Sequence, residues 1–330
     1  MRVVKFGFLL AGLAIAFLAW SALSAVPLAA PTVEFSIQRG SALRAATRQM
    51  AEAGVGLSAW QFSLLARLGS MDTNIKAGSY AVSQGITPWQ ILRKITQGDF
   101  TQVEVVFIEG WTVRQVRAVL DAHPSVRHDS AGLSDREIMD KLDASDRSAE
   151  GWFFPDTYLF GKGESDLAIL ARAHRTMQKQ LESVWMQRAN NSPLRSPYEA
   201  LILASIVEKE TGRPEDRGLI AGVFSNRLRI GMRLQTDPTV IYGLGSKFDG
   251  NLRKRDLLAD TPHNTYTRAG LPPSPIAIPG LASLRAAVKP DATDALYFVA
   301  RGDGSSEFSP NLDQHNRAVA RYQLRGGSKP

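Results

Sequence analysis

Glu208 and Glu210 end an otherwise apolar run, Ile202-Leu-Ala-Ser-Ile-Val-Glu-Lys-Glu-Thr211. A carboxyl among apolar neighbours resists ionisation, so its pKa is expected to rise toward the range a general acid needs near neutral pH. Residues two apart on a helix do not share a face, so the two acids do not form a dyad. Glu208 falls one turn beyond Ala204 and Ser205, small residues that leave room for a ligand. Glu210 falls toward Leu203 and Ile206. Carboxylates near a helix C-terminus also oppose the macrodipole, a hint that stability alone did not place them. The plainer reading is a helix that runs out into solvent with its acids exposed.

Two polar clusters follow. Gln235, Thr236, Asp237 and Thr239 form a turn-like run before Tyr242. His263, Asn264, Thr265 and Tyr266 form a second loop closed by Gly and Pro. Amides, hydroxyls and aromatic rings suit the hydrogen-bonding and stacking demands of a sugar. Either cluster alone is ordinary turn chemistry. Their presence around one candidate acid is what favours a site.

Other chemistries find little support. The chain has no cysteine, which removes disulfides, thiolate metal sites and Cys nucleophiles. Its five His include no close ligand pair such as HExxH, so no metal or cofactor is expected. No G-x-S-x-G elbow is present.

The elements that must position these residues can be read from pattern. Ser196 is a helix N-cap, Pro197 the first helical residue and Glu199 the third, which together make a capping box. Ala200 to Val207 is almost wholly apolar, so this helix is expected to be buried on most sides. The next helix carries Leu219, Ile220, Val223, Phe224 and Leu228 and ends at Gly231. Upstream, residues 32–105 read as a small β-α-α-β-α unit with a further strand leading out. Its last helix is capped by Thr87, begins at Pro88 and stops at Gly98. Segment 150–160 reads as an ordered loop or short strand, 166–189 as a long amphipathic helix, and "ALYFVA" as a strand. The tail after residue 323 reads as frayed. The class expected is α+β, with 32–105 as one subdomain and 106–330 as a larger mixed domain.

The 330 residues suffice for about two domains, and 44% hydrophobic content argues against global disorder. Arg2 and Lys5 precede a stretch, Phe6 to Val26, that carries no charge. Such a run can span a bilayer, which needs about 20 residues, and the leading cations favour a cytoplasmic N-terminus. A membrane helix over 6–27 after a short cytoplasmic stretch, 1–5, is therefore expected. A cleaved signal peptide is the competing reading. Both export the rest of the chain, so the net charge of +7 points away from nucleic acid and toward lipid, an acidic cell-wall polymer or plain solubility.

The segments "ASIVEKET", "NRLRIGMRLQTDPTVIYGLG", "NTYTRAGLPPSPIAIPG" and "EGWFFPDTY" together resemble the endolytic murein transglycosylases, the MltG or YceG-like family. "KAGSY" followed by "TPWQIL" resembles that family's LysM-like subdomain, which places it over 32–105. The resemblance covers nearly everything from the apolar N-terminal run to about Asn316. It implies a single-pass inner-membrane protein whose catalytic region lies in the periplasm. It implies cleavage of the β-1,4 bond between N-acetylmuramic acid and N-acetylglucosamine inside nascent glycan strands, without water, leaving 1,6-anhydro ends and terminating elongation. The family's catalytic Glu falls on Glu208. Gln235, Thr236, Asp237, Asn264 and Tyr266 are then assigned to substrate positioning. Asp237 could stabilise charge on the sugar or serve only the turn before Pro238, and both readings stand. The expected partners are peptidoglycan strands, the inner membrane and peptidoglycan synthases. Two rivals remain open: a membrane-anchored module that binds peptidoglycan without cutting it, and a lysozyme-type hydrolase pairing Glu208 with Asp237 or Glu210.

Overall fold

The computed structural model describes residues 12–13, 16–38, 40–144 and 148–324. The expected membrane helix over 6–27 is only partly covered, since residues 1–11, 14 and 15 lie outside the described residues, as does the tail from 325. Residues 16–23 are helical. Among the described residues, no helix is long and apolar enough to cross a membrane. The protein is a mixed helix-and-strand fold that divides into two compact units, 1–104 with 159–164, and 105–158 with 165–330.

In the first unit the order is β1 (Thr32–Ile37), α1 (Leu43–Glu52), α2 (Ala59–Leu68), β2 (Gly78–Ser83) and α3 (Pro88–Gln97). Strands β1 and β2 are antiparallel, in register from Thr32 opposite Ser83 to Ile37 opposite Gly78. The inward residues Val33, Phe35 and Ile37 alternate along β1, as the period of a half-buried strand requires, and pack with Met50, Phe62, Tyr80, Ile91 and Leu92. Thr87 caps α3 with a full capping box, and Gly98 ends it in the left-handed conformation. Ser41 does not cap α1, whose N-cap is Ala42.

The chain continues through β3 (Gln102–Val106), α4 (Val113–Asp121), β4 (Val126–Arg127), α5 (Asp135–Lys141), β5 (Thr157–Gly161) and β6 (Glu164–Ser165). Strand β3 pairs with β5, and β4 with β6. A helical layer follows: α6 (Asp166–Trp185), α7 (Pro197–Glu210), α8 (Pro214–Arg229), α9 (Asp237–Leu244), α10 (Lys254–Leu258) and α11 (Leu281–Val288). Helix α11 packs on α6, α7 and α8, and α9 on α7. A hairpin of β7 (Tyr297–Ala300) and β8 (Ser306–Ser309) and the helix α12 (Leu312–Val319) close the unit.

The run 235–239 is not a turn. Thr236 is an N-cap and Pro238 lies in the first turn of α9, so the Asp-Pro pair that signals a turn here starts a helix.

Helix α7 is the centre of this unit. Ser196 accepts the Glu199 N–H at 3.2 Å, and Pro197 opens the helix. The reciprocal bond is displaced by one residue, because the Glu199 carboxylate accepts from Arg195 N–H at 2.6 Å rather than from the cap itself. Ala200 to Val207 are all buried. Leu203 is wholly enclosed, and shortening it leaves a cavity beside the helix that carries the acid. Leu203→Ala is therefore expected to lower unfolding free energy by about 2–5 kcal/mol in denaturant titrations.

Candidate active site

Glu208 sits where α7 leaves its buried stretch, and it is half-buried. Its Oε2 accepts the Gly280 N–H at 2.9 Å. Its Oε1 has no hydrogen-bond partner among the described residues. Lys209, one residue on, is exposed and donates to the Gly110 carbonyl at 3.2 Å.

Gly280 is held by the segment before it. Four of the ten residues 271–280 are proline and lack an N–H, so little of this backbone needs a donor's partner. Three of the remaining donors, at 276, 278 and 280, are matched to neighbours. Ile276 N–H donates to Ser205 Oγ at 3.0 Å, and Ser205 donates to the Ile202 carbonyl at 2.7 Å. Ile278 N–H donates to the Trp111 carbonyl at 2.7 Å, and Gly110 N–H to the Ile278 carbonyl at 2.9 Å. Gly280 N–H then meets Glu208. Small Ser205 thus serves as a fastener for this segment, a role different from the open space expected beside Glu208.

The second acid has its own partners. Glu210 Oε2 accepts Thr236 Oγ1 at 2.6 Å. Burial pushes the Glu210 pKa up and the Asp237 charge adds to this, while the Thr236 bond and Arg227 oppose it. Thr236 is buried, and its N–H donates to Thr265 Oγ1 at 3.1 Å. Tyr266 OH donates to Asp237 Oδ1 at 2.6 Å. Gln235 is exposed, with φ at +49°, and its N–H donates to the Thr265 carbonyl. The structure therefore joins Gln235, Thr236, Asp237 and Tyr266 into one patch bonded to Glu210. No hydrogen bond among the described residues links that patch to the Glu208 carboxyl. Asn264 is fully buried, and its amide donates to the Asp256, Leu257 and Ala259 carbonyls while its Oδ1 accepts from Tyr266 N–H at 2.8 Å. It braces the loop that presents Tyr266.

The sequence model of the YceG-like family matches residues 35–321 of this chain. The chain belongs to the YceG-like family. It is 33% identical over 267 residues to the endolytic murein transglycosylase of Bacillus subtilis, covering 76% of this chain and 74% of that protein. It is 27% identical over 323 residues to the endolytic murein transglycosylase of Streptococcus pneumoniae, covering 88% of this chain but only 58% of the relative. A crystal structure of a YceG-like protein from Listeria monocytogenes aligns with TM-score 0.54 at 28% identity, over 87% of this chain and 98% of that one.

Two further carboxyls in this YceG-like chain escaped the sequence reading. Glu109 lies three residues past the end of β3, and its pKa is raised by burial and by the Glu208 charge, with Arg217 opposing. A single acid between an apolar strand and Gly110, whose φ is +78°, was the only signal for it. Glu150 is buried, accepts Val113 N–H at 3.0 Å at the start of α4, and accepts Tyr242 OH at 3.2 Å. Trp152, two residues on, is core and stacks on Tyr198 at 6.1 Å. Trp111 is half-buried and contributes its carbonyl to the Ile278 pairing.

Among the described residues, one trio, Asp121, His128 and Asp166, brings potential metal-ligand atoms within 4.8 Å of one another. Asp166 already accepts Ser130 Oγ at 2.6 Å and Leu167 N–H at 2.7 Å, which explains its burial as a loop clamp.

Burial pushes the Glu150 pKa up to about 7, against the bonds from Val113 and Tyr242 that favour its charge. A raised acid binds its proton in the folded state while the unfolded chain has released it. Its stabilising contribution is complete below about pH 4.5 and is lost as pH rises through about 7. Wild type should lose roughly 3 kcal/mol relative to Glu150→Gln between pH 4.5 and 8. Unfolding titrations of both proteins at the two pH values check this.

Proposed function

We propose that this chain is an endolytic murein transglycosylase, cutting peptidoglycan glycan strands internally. The observation that carries the reading is Glu208: a half-buried carboxyl on a buried helix, one oxygen fixed by Gly280 N–H and the other open. Two relatives bearing the name endolytic murein transglycosylase support it. This chain spans 58% of the streptococcal relative, so activities seated elsewhere in that protein do not transfer.

The chemistry suits one acid. In most glycosidases a second carboxylate acts as nucleophile or activates water. Here the muramyl 6-hydroxyl attacks the anomeric carbon of its own sugar, and proximity replaces the external nucleophile. Glu208 protonates the glycosidic oxygen as the C1–O bond breaks. As carboxylate it then accepts the 6-hydroxyl proton, and the product is a 1,6-anhydro end. Gln235, Asp237 and Tyr266 have polar groups near the surface and are the residues proposed to hold the sugar. Thr236 and Asn264 keep that patch in shape. The Asp237 carboxylate, already bonded to Tyr266, is suited to positioning rather than proton transfer.

The first unit is proposed to be LysM-like and to bind the strand. The N-terminal apolar segment is proposed to anchor the chain in the inner membrane with the catalytic unit in the periplasm. In support, Leu13, Phe17, Trp20 and Leu23 are exposed in the described part of that segment. Such an anchor would keep Glu208 within reach of nascent strands and of the synthases that extend them.

Glu208→Gln keeps the shape and the bond to Gly280 but cannot give up a proton as an acid. Release of soluble fragments from purified glycan strands by the full chain should fall roughly a hundred- to ten-thousand-fold. Release at the wild-type rate would remove Glu208 from the chemistry, and no release by wild type would favour a binding module.

A further inference from the structure

A groove in the second unit starts close to the Glu208 anchor and is lined by cations. Its walls come from the first turns of α8, from α11 and from the end of α6. On α11, Ala282, Arg285 and Lys289 follow one another at three and four positions, so one face of that helix is turned to the groove. Ala282 is two residues past Gly280, whose N–H holds Glu208. Arg217 enters from α8, which begins four residues after Glu210. The space is about 380 Å³, room for a small organic group rather than a water or two.

The cations of this groove lack partners. Among the described residues, Arg217, Arg285 and Lys289 make no ion pair and no side-chain hydrogen bond. Arg217 is half-buried, and its Nε is enclosed without an acceptor, an arrangement that costs free energy until an anion arrives. Asp291 is the one acid among the described residues of the wall. Its N–H donates to the Gly218 carbonyl at 3.1 Å, and its carboxyl stands where a Gly218 Cβ would be. Three cations against one acid leave the wall positive.

We propose that this groove binds carboxylates of the stem peptides on the glycan strand, so that peptide-bearing strands are cut in preference to stripped ones. This deepens the transglycosylase reading and rests on it. The sugars at the cleaved bond are uncharged, and their hydroxyls and acetamides gain little from three cations. A stem peptide hangs from the muramyl lactyl group and carries carboxylates away from the glycan axis. Arg217 and Arg285 offer planar forks that match a carboxylate, and Lys289 adds a point charge. These contacts lie away from the breaking bond and hold substrate and transition state alike, so they lower KM rather than raise kcat. Cations near the end of α11 also suit its dipole. That role serves every substrate equally, so the informative readout is a ratio between substrates.

The test compares cleavage by the full chain of three glycan preparations: peptide-bearing, stripped of peptide, and peptide-bearing with the carboxyls amidated. Peptide-bearing strands should be cut with kcat/KM roughly tenfold above stripped strands, the difference lying in KM, and amidated strands should behave as stripped ones. The preference should shrink as salt is raised. Arg285→Gln with Lys289→Gln should melt near wild type and reduce the ratio to roughly twofold, while Arg285→Lys should keep most of it. Equal cleavage of peptide-bearing and stripped strands by wild type overturns the proposal. So does a preference that survives amidation, or a double variant that loses equally on all three preparations. Glu208→Gln should bind peptide-bearing strands more tightly than stripped ones, which reads the groove without cleavage. If wild type cuts no strand but this contrast in binding holds, the transglycosylase reading falls and the groove stands. If wild type cuts all three alike, only this inference falls.

Discussion

One backbone N–H, that of Gly280, decides where the Glu208 carboxyl points. A carboxyl at the end of a helix has three rotatable bonds and a strong preference for water. Fixing it needs a donor that cannot itself move. The protein supplies one from a segment whose prolines leave few donors to satisfy and whose Ile276, Ala277 and Ile278 are buried. Bonds at residues 276, 278 and 280 tie that segment to Ser205, to the 110–111 loop and to Glu208. The acid is thus one of three anchors of the element that orients it. A group held this way needs little reorganisation when it transfers a proton, which is the source of most electrostatic catalysis.

The surrounding core follows from that need. Helix α7 is buried all round from Ala200 to Val207, and α8, α9 and α11 pack on it. Burial on every side fixes the axis of the helix and so the origin of the Glu208 side chain. The other acid, Glu210, is drawn the opposite way by Thr236 and serves the patch built around Asp237 and Tyr266. Two acids two positions apart therefore do separate work, and the difference follows from helical phase. Asn264 shows a related division. It is polar and lies beside the patch, yet its whole amide is spent on backbone.

Much of this was legible in the chain itself. Ser196, Pro197 and Glu199 announce the start of α7, and the apolar run predicts its burial, because both signals act within a few residues. The phase argument that separates Glu208 from Glu210 is equally local. The run 235–239 was misread, since Asp-Pro reports only that the chain changes direction and a helix start satisfies that as well as a turn. Glu109 could not be read at all. Its place at the site comes from contact with a glycine 171 positions later, whose Cβ position its carboxyl occupies. Close approach between distant segments leaves no periodic mark. Glu150 was hidden for the same reason, its partners Val113 and Tyr242 lying far along the chain on either side.

The central claim is that the sugar's own hydroxyl, not water, completes the reaction Glu208 begins. Digestion of glycan strands in heavy-oxygen water, followed by mass analysis of the fragments, tests it most directly. The account predicts fragments without solvent oxygen, each lighter by one water than the hydrolysis product. Fragments carrying one heavy oxygen at the new reducing end would show that water is the nucleophile and contradict it.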